Sequence, residues 1–173
     1  MRRGARSFLS LRLAPLLAGA ALACLSLPAA ADPAEIEDGM RVYRTSGECE
    51  KCHGWQGYGV NRYDSGWIDP PPSLIASRLT RAQVIELLSC GTPGGWMPQY
   101  LARAWTEERR CNGRTLSELA PELRPKRPYS ALSQRQIEAA ASFVVEVYQG
   151  KGMSLGDCLA YFGPASRACD LLR

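Results

Sequence analysis

The chain has 173 residues, 21 Lys+Arg against 17 Asp+Glu, a formal net charge of +4 and 46% hydrophobic residues. That is enough for one domain with a single core, and no internal repeat divides it. Residues 1–31 carry four of the arginines and no acid, so the other 142 residues hold 17 charges of each sign and give no electrostatic reason to expect nucleic acid.

Residues 1–31 read as a secretory signal. Arg2, Arg3 and Arg6 form a basic start, residues 11–27 are largely apolar, and Ala29-Ala30-Ala31 offers an A-x-A exit before Asp32. Arg12, Pro15 and Ser26 interrupt the apolar run, which argues against a retained anchor, so no membrane span is expected once the signal is removed. The residues before Cys24 make a poor lipoprotein box, and those around Arg2-Arg3 fit a twin-arginine motif badly. The expected location is the periplasm.

Asp32-Pro33-Ala34-Glu35 is a helix start, with Asp at the N-cap, Pro at N1 and Glu at N3. Ile36, Met40 and Tyr43 recur on one face of that helix, and Gly39 beside them marks a place for another helix to approach. Cys49-Glu50-Lys51-Cys52-His53 follows, a C-x-x-C-H run whose spacing suits covalent attachment of one c-type haem. The two thiols are placed for the vinyl groups and His53 for the iron. A zinc site needs four ligands, and His53 is the single histidine. A thioredoxin-like dithiol needs a strand-to-helix context, and no βαβ pattern surrounds it.

Residues 54–73 are rich in Gly and Pro and lack periodicity, as expected of coil wrapped around a cofactor. Thr80-Arg81-Ala82-Gln83 is a capping box that opens a short helix with Val84, Leu87 and Leu88 on one face, ending at Gly91. Thr115 to Glu118 starts a further short helix stopped by Pro121, and residues 121–128 form a Pro-rich connector. Ser133-Gln134-Arg135-Gln136 is a second box, launching Ile137, Ala140, Ala141, Val144, Val145 and Tyr148. Strand signals are nearly absent, so the expected fold class is all-α around a cofactor.

In this order the elements of residues 33–150 resemble the class I (mitochondrial-type) monohaem cytochromes c. The shared run is an N-terminal helix, C-x-x-C-H-G, Pro-x-Leu, a short helix, a methionine loop and a long C-terminal helix. The resemblance implies a cytochrome c-like fold over 32–150, with 151–173 as a C-terminal extension outside the minimal pattern. It implies that the carbonyl of Pro72, in Pro72-Ser73-Leu74, accepts a hydrogen bond from His53, although three successive prolines leave the register open by one. It also places the second iron ligand on a methionine in a Pro-flanked loop. After the signal three methionines remain. Met40 lies on a core stripe and Met153 beyond the last expected helix, while Met97 sits in Gly94-Gly95-Trp96-Met97-Pro98. Met97 is the expected ligand, with packing against the porphyrin edge as the other reading. Tyr58, Arg62, Trp67 and Arg78 are candidates for the propionates, each equally accounted for by ordinary packing.

Cys90, Cys111, Cys158 and Cys169 remain, an even number that suits an oxidising compartment. They allow three pairings. Cys90–Cys111 with Cys158–Cys169 is preferred because each bridge closes a local loop; one bridge and two buried thiols is the alternative.

His–Met ligation leaves no open position on the iron and favours the ferrous state. The expected function is therefore a periplasmic one-electron carrier and not an enzyme, with an exposed haem edge near Gly57, Gly95 and Trp96. Its partners would be redox proteins: a periplasmic dehydrogenase as donor, with a quinoprotein-type enzyme as one candidate, and an oxidase or another cytochrome as acceptor. The alternative is a cytochrome subunit of a larger oxidoreductase. A haem peroxidase is more remote, since it needs a vacant iron position and a distal acid–base group. Acids crowd residues 32–50 and cations residues 103–127, which is either a docking dipole or solvated loop.

Overall fold

The computed structural model describes residues 31–59 and 71–172, and the expectations for the signal, Cys24, Arg62 and Trp67 lie outside them. The described residues are helical: α1 (Pro33–Arg44), α2 (Glu50–His53), α3 (Arg81–Cys90), α4 (Gln134–Phe143) continuing as a π-helical turn Val144–Tyr148, and α5 (Leu155–Phe162). Short 3-10 turns occupy Leu116–Glu118, Pro121–Leu123 and Arg167–Leu172. Among the described residues no strand forms, and no helix is long and apolar enough to cross a membrane.

The caps act as local sequence dictates. Asp32 accepts from the Ala34 amide at 3.0 Å. Thr80 with Gln83 and Ser133 with Gln136 close reciprocal boxes, and Gly91 ends α3. Glu35 stands in the first turn of α1, as expected, but its side chain reaches away from the cap. Its Oε1 accepts instead from Arg81 Nη2 at 2.6 Å and from Ser142 Oγ at 2.9 Å, tying α1, α3 and α4 together.

α4 is the central helix. It packs on α1 and on α3, and Ile137, Ala140, Ala141 and Phe143 are buried along it. The α1–α4 crossing is close because Gly39 faces Ala139 and Phe143. A Cβ on Gly39 would stand 2.7 Å from the Phe143 Cβ and inside the Ala139 carbonyl.

Both expected disulfides form, Cys90–Cys111 with Cα atoms 5.7 Å apart and Cys158–Cys169 at 5.8 Å. Such bridges form and persist in oxidising compartments. Cys90–Cys111 belongs to a small second core with Ala104, Trp105 and Leu119, where Trp105 Nε1 donates to the Cys90 carbonyl at 2.8 Å. Pro121 does not simply stop a helix. The first 3-10 turn ends before it, and Pro121 opens the next at its N1 position.

Residues beyond 150 are no loose tail. Met153, Cys158, Tyr161 and Cys169 are buried in the same core as α1 and α4. Met153 precedes a further helix, α5, whose Ser154–Asp157 capping box the sequence reading passed over.

Gly39→Ala is expected to destabilise the protein by about 3 kcal/mol, since backbone blocks the new methyl group and the helices must separate. Chemical unfolding measures it, with a lower midpoint and an unchanged slope. Peptide mapping without reduction should recover Cys90 linked to Cys111 and Cys158 linked to Cys169. Replacing Cys90 and Cys111 together by Ser should cost roughly 3 kcal/mol on the chain-entropy estimate.

Candidate functional site

α2 is a single helical turn and cannot hold its own shape, because a first turn costs more conformational freedom than its hydrogen bonds return. Four tyrosine hydroxyls hold it from outside. Tyr100 donates to the Gly47 carbonyl at 2.6 Å and Tyr43 to the Gly54 carbonyl at 2.6 Å. Tyr148 donates to the Trp55 carbonyl at 2.7 Å, and Tyr161 to Glu50 Oε2 at 2.6 Å. All four rings are buried. Burial, by desolvation, pushes each phenol above its ordinary range, so all four stay protonated as donors.

Within this frame Cys49, Cys52 and His53 line one cavity of about 870 Å³. Pro72, Leu74, Val84, Leu88 and Val144 add apolar walls, and Met97 enters from the loop after α3. Cys49 and Cys52 are unbridged. Desolvation pushes the Cys49 thiol up to about 12 and raises Cys52 as well, the opposite of the lowered thiol of a redox dithiol. His53 is buried, and desolvation lowers its pKa, which keeps the imidazole neutral. Its Nδ1 lies 3.3 Å from the Pro72 carbonyl. A carbonyl only accepts, so Nδ1 carries the proton and the Nε2 lone pair is left as a ligand atom. Among the described residues it is the Pro72 carbonyl that His53 meets.

The Met97 loop is built by its glycines and braced from outside. At Gly91 (φ +66°) a Cβ would sit 2.7 Å from the backbone of Pro98 and Gln99. Thr92 N donates to the Met97 carbonyl at 3.0 Å. The connector then runs beside the loop: Gly94 N donates to the Leu123 carbonyl at 3.0 Å, and Gln99 N to that of Lys126 at 2.9 Å. Lys126 Nζ lies 3.2 Å from the centroid of the exposed Trp96 ring. Met153 is buried in the core and Met40 packs half-buried against it, and neither lines the cavity.

Other expectations divide. Arg78 lines the cavity, while Tyr58 is exposed and does not. Gly95 and Trp96 stand at the cavity, but Gly57 is buried beneath the Tyr148 ring, where a Cβ would lie 2.7 Å from Cδ1, so it borders no exposed edge. Several of the crowded charges are engaged within the molecule. Arg109 pairs with Glu86, and Arg110 with Glu107 and Glu118. Asp38 pairs with Arg41 and Arg135, and Glu48 with Lys51. Glu86, Cys90 and Cys111 cluster closely enough to suggest a metal site, but the two sulfurs are bonded to each other and are not thiolates.

Sequence reasoning missed the tyrosine clamp. Tyr43 was read as core, and Tyr148 as one member of a stripe. Only their buried hydroxyls mark them as more, because a buried O–H requires a partner.

Comparisons of the chain with protein-family models, with curated proteins and with solved structures found no match.

Tyr43→Phe and Tyr100→Phe are each expected to cost about 1–3 kcal/mol, since Tyr100→Phe takes the hydroxyl donor from the Gly47 carbonyl and Tyr43→Phe leaves the Gly54 carbonyl with only the longer bond from Gly57 N at 3.3 Å. Equilibrium unfolding in urea measures this; a change under 0.5 kcal/mol for both would mean that the clamp is not what holds α2.

Proposed function

We propose that this protein is a monohaem c-type cytochrome of the class I kind, acting in the periplasm as a one-electron carrier between redox proteins. One observation carries the reading. Two unbridged thiols at C-x-x-C spacing, a neutral histidine with Nδ1 committed to a carbonyl, and a methionine all line one apolar cavity of about 870 Å³. Interiors close-pack with few voids larger than a water, and cofactor sites fall at roughly 300–1,000 Å³. The donor set suits haem and suits other groups poorly. With raised thiol pKa values the cysteines are weak thiolate ligands, but they can form thioethers, each S–H adding across one vinyl group without an oxidant.

On this reading Cys49 and Cys52 would hold the porphyrin, and His53 Nε2 and Met97 Sδ would hold the iron. A His/Met-ligated haem supplies reversible one-electron exchange at a raised potential. The chain's own residues do the rest. The Pro72 carbonyl orients the His53 ring and increases its basicity. Val84, Leu88, Val144 and Tyr100 keep water from the site, and the Thr92–Met97 and Lys126–Gln99 backbone bonds hold the thioether in place. The disulfides support an exported protein, and the donor proposed is a periplasmic dehydrogenase.

Expression with a haem-attachment system should give a chain that keeps haem through denaturing electrophoresis, lost when Cys49 and Cys52 are both replaced by Ser. Met97→Ala should remove the red-end sulfur-to-iron band of the ferric protein, lower the potential and admit cyanide or carbon monoxide. Retention of the band in Met97→Ala, or its loss in Met40→Ala or Met153→Ala instead, would reassign the ligand. Peroxide turnover by the intact protein with no electron exchange with other redox proteins would overturn the carrier role.

A further inference from the structure

The extension beyond residue 150 places one polar atom against the C-x-x-C-H turn, and of the four tyrosine contacts this is the one made to a charged side chain instead of a backbone carbonyl. Tyr161 lies on α5 with its ring buried, and its hydroxyl donates at 2.6 Å to Glu50 Oε2. Glu50 is the first residue of α2 and stands between the two cysteines. Tyr161 is fixed from several sides. The Arg44 guanidinium lies 4.4 Å from its ring centroid and also donates to its carbonyl. The neighbouring Phe162 meets Trp55 edge-on at 5.0 Å. Cys158–Cys169 ties α5 to the last 3-10 turn, with both cysteines fully buried. If packing alone were needed, phenylalanine would fill this place. The hydroxyl adds a donor aimed at the one carboxylate inside the motif.

We infer that Tyr161 is a positioning residue for the haem-attachment turn: it fixes Glu50, whose carboxylate lines no part of the cavity but stands in the turn between the two cysteines, and offsets its negative charge there. The inference rests on the reading of the cavity as a haem site. Without the phenol hydroxyl the Glu50 carboxylate is left less compensated. Uncompensated negative charge in the turn that carries His53 favours the ferric state, so the potential falls. Because the effect runs through Glu50, it disappears when Glu50 carries no charge.

The test uses the full-length, haem-loaded protein in four forms: wild type, Tyr161→Phe, Glu50→Gln and the double variant. Optical redox titration gives the midpoint potential, and haem absorbance per chain gives the loading. The expected result is a lower potential in Tyr161→Phe, with no further shift when the same change is made on Glu50→Gln, a coupling that a double-mutant cycle isolates. A general loosening of the fold would instead give the same shift in both backgrounds and would overturn the inference, as would no shift at all. If Tyr161→Phe fails to load haem, loading restored in the double variant supports the inference, and equal failure of both overturns it. A wild-type chain that takes up no covalent haem overturns the haem reading itself, a result distinct from a loaded wild type with an indifferent Tyr161→Phe.

Discussion

A four-residue helix carrying two cysteines and a histidine has too few internal hydrogen bonds to fix three side chains at once, and its shape must come from its surroundings. Here it comes from tyrosines on four different elements: Tyr43 from α1, Tyr100 from the segment after the Met97 loop, Tyr148 from the π-helical turn, and Tyr161 from α5. Each ring contributes apolar area to the core and each hydroxyl satisfies a polar group on or beside the turn. The same side chain therefore stabilises the fold and shapes the site. The core and the motif cannot be built independently.

The clamp works only if its four sources are held at fixed distances, and that is the task of α4. Its alanines and the missing Cβ of Gly39 let α1 come close enough for Tyr43, Phe143 and Tyr148 to pack as one aromatic cluster, with ring centroids 5.2–5.5 Å apart. Arg81, Glu35 and Ser142 lock α3 to the same pair of helices. α3 in turn launches the Met97 loop, so one helix crossing sets both the histidine side and the methionine side of the cavity.

The segment from Cys90 to the connector is best understood as a brace on that loop. Its disulfide and small core anchor it at one end, and the Leu123 and Lys126 carbonyls grip the loop at the other. This also accounts for much of its charge. Arg109 and Arg110 are engaged with nearby carboxylates, and Lys126 lies over Trp96, so a crowd of cations in the sequence overstates the field offered to a partner. Arg103, Arg114, Arg124 and Arg127 remain exposed.

The sequence by itself determined what short-range chemistry controls. The caps at Asp32, Thr80, Ser133 and Gly91, the all-helical character, the C-x-x-C-H spacing and the close approach at Gly39 depend on residues within a few positions or on a missing side chain. The Ser154–Asp157 box was equally legible and was overlooked. Only the tertiary structure decided which of three cysteine pairings forms, that Gly57 lies under Tyr148, that Glu35 in the first turn of α1 also bridges helices, and that residues beyond 150 join the core. It alone decided the tyrosine partners, which lie 11, 53, 93 and 111 positions away along the chain. The physical reason is that a cap is a bond between neighbours whatever the fold, whereas a buried hydroxyl is satisfied by whichever group packing brings within reach.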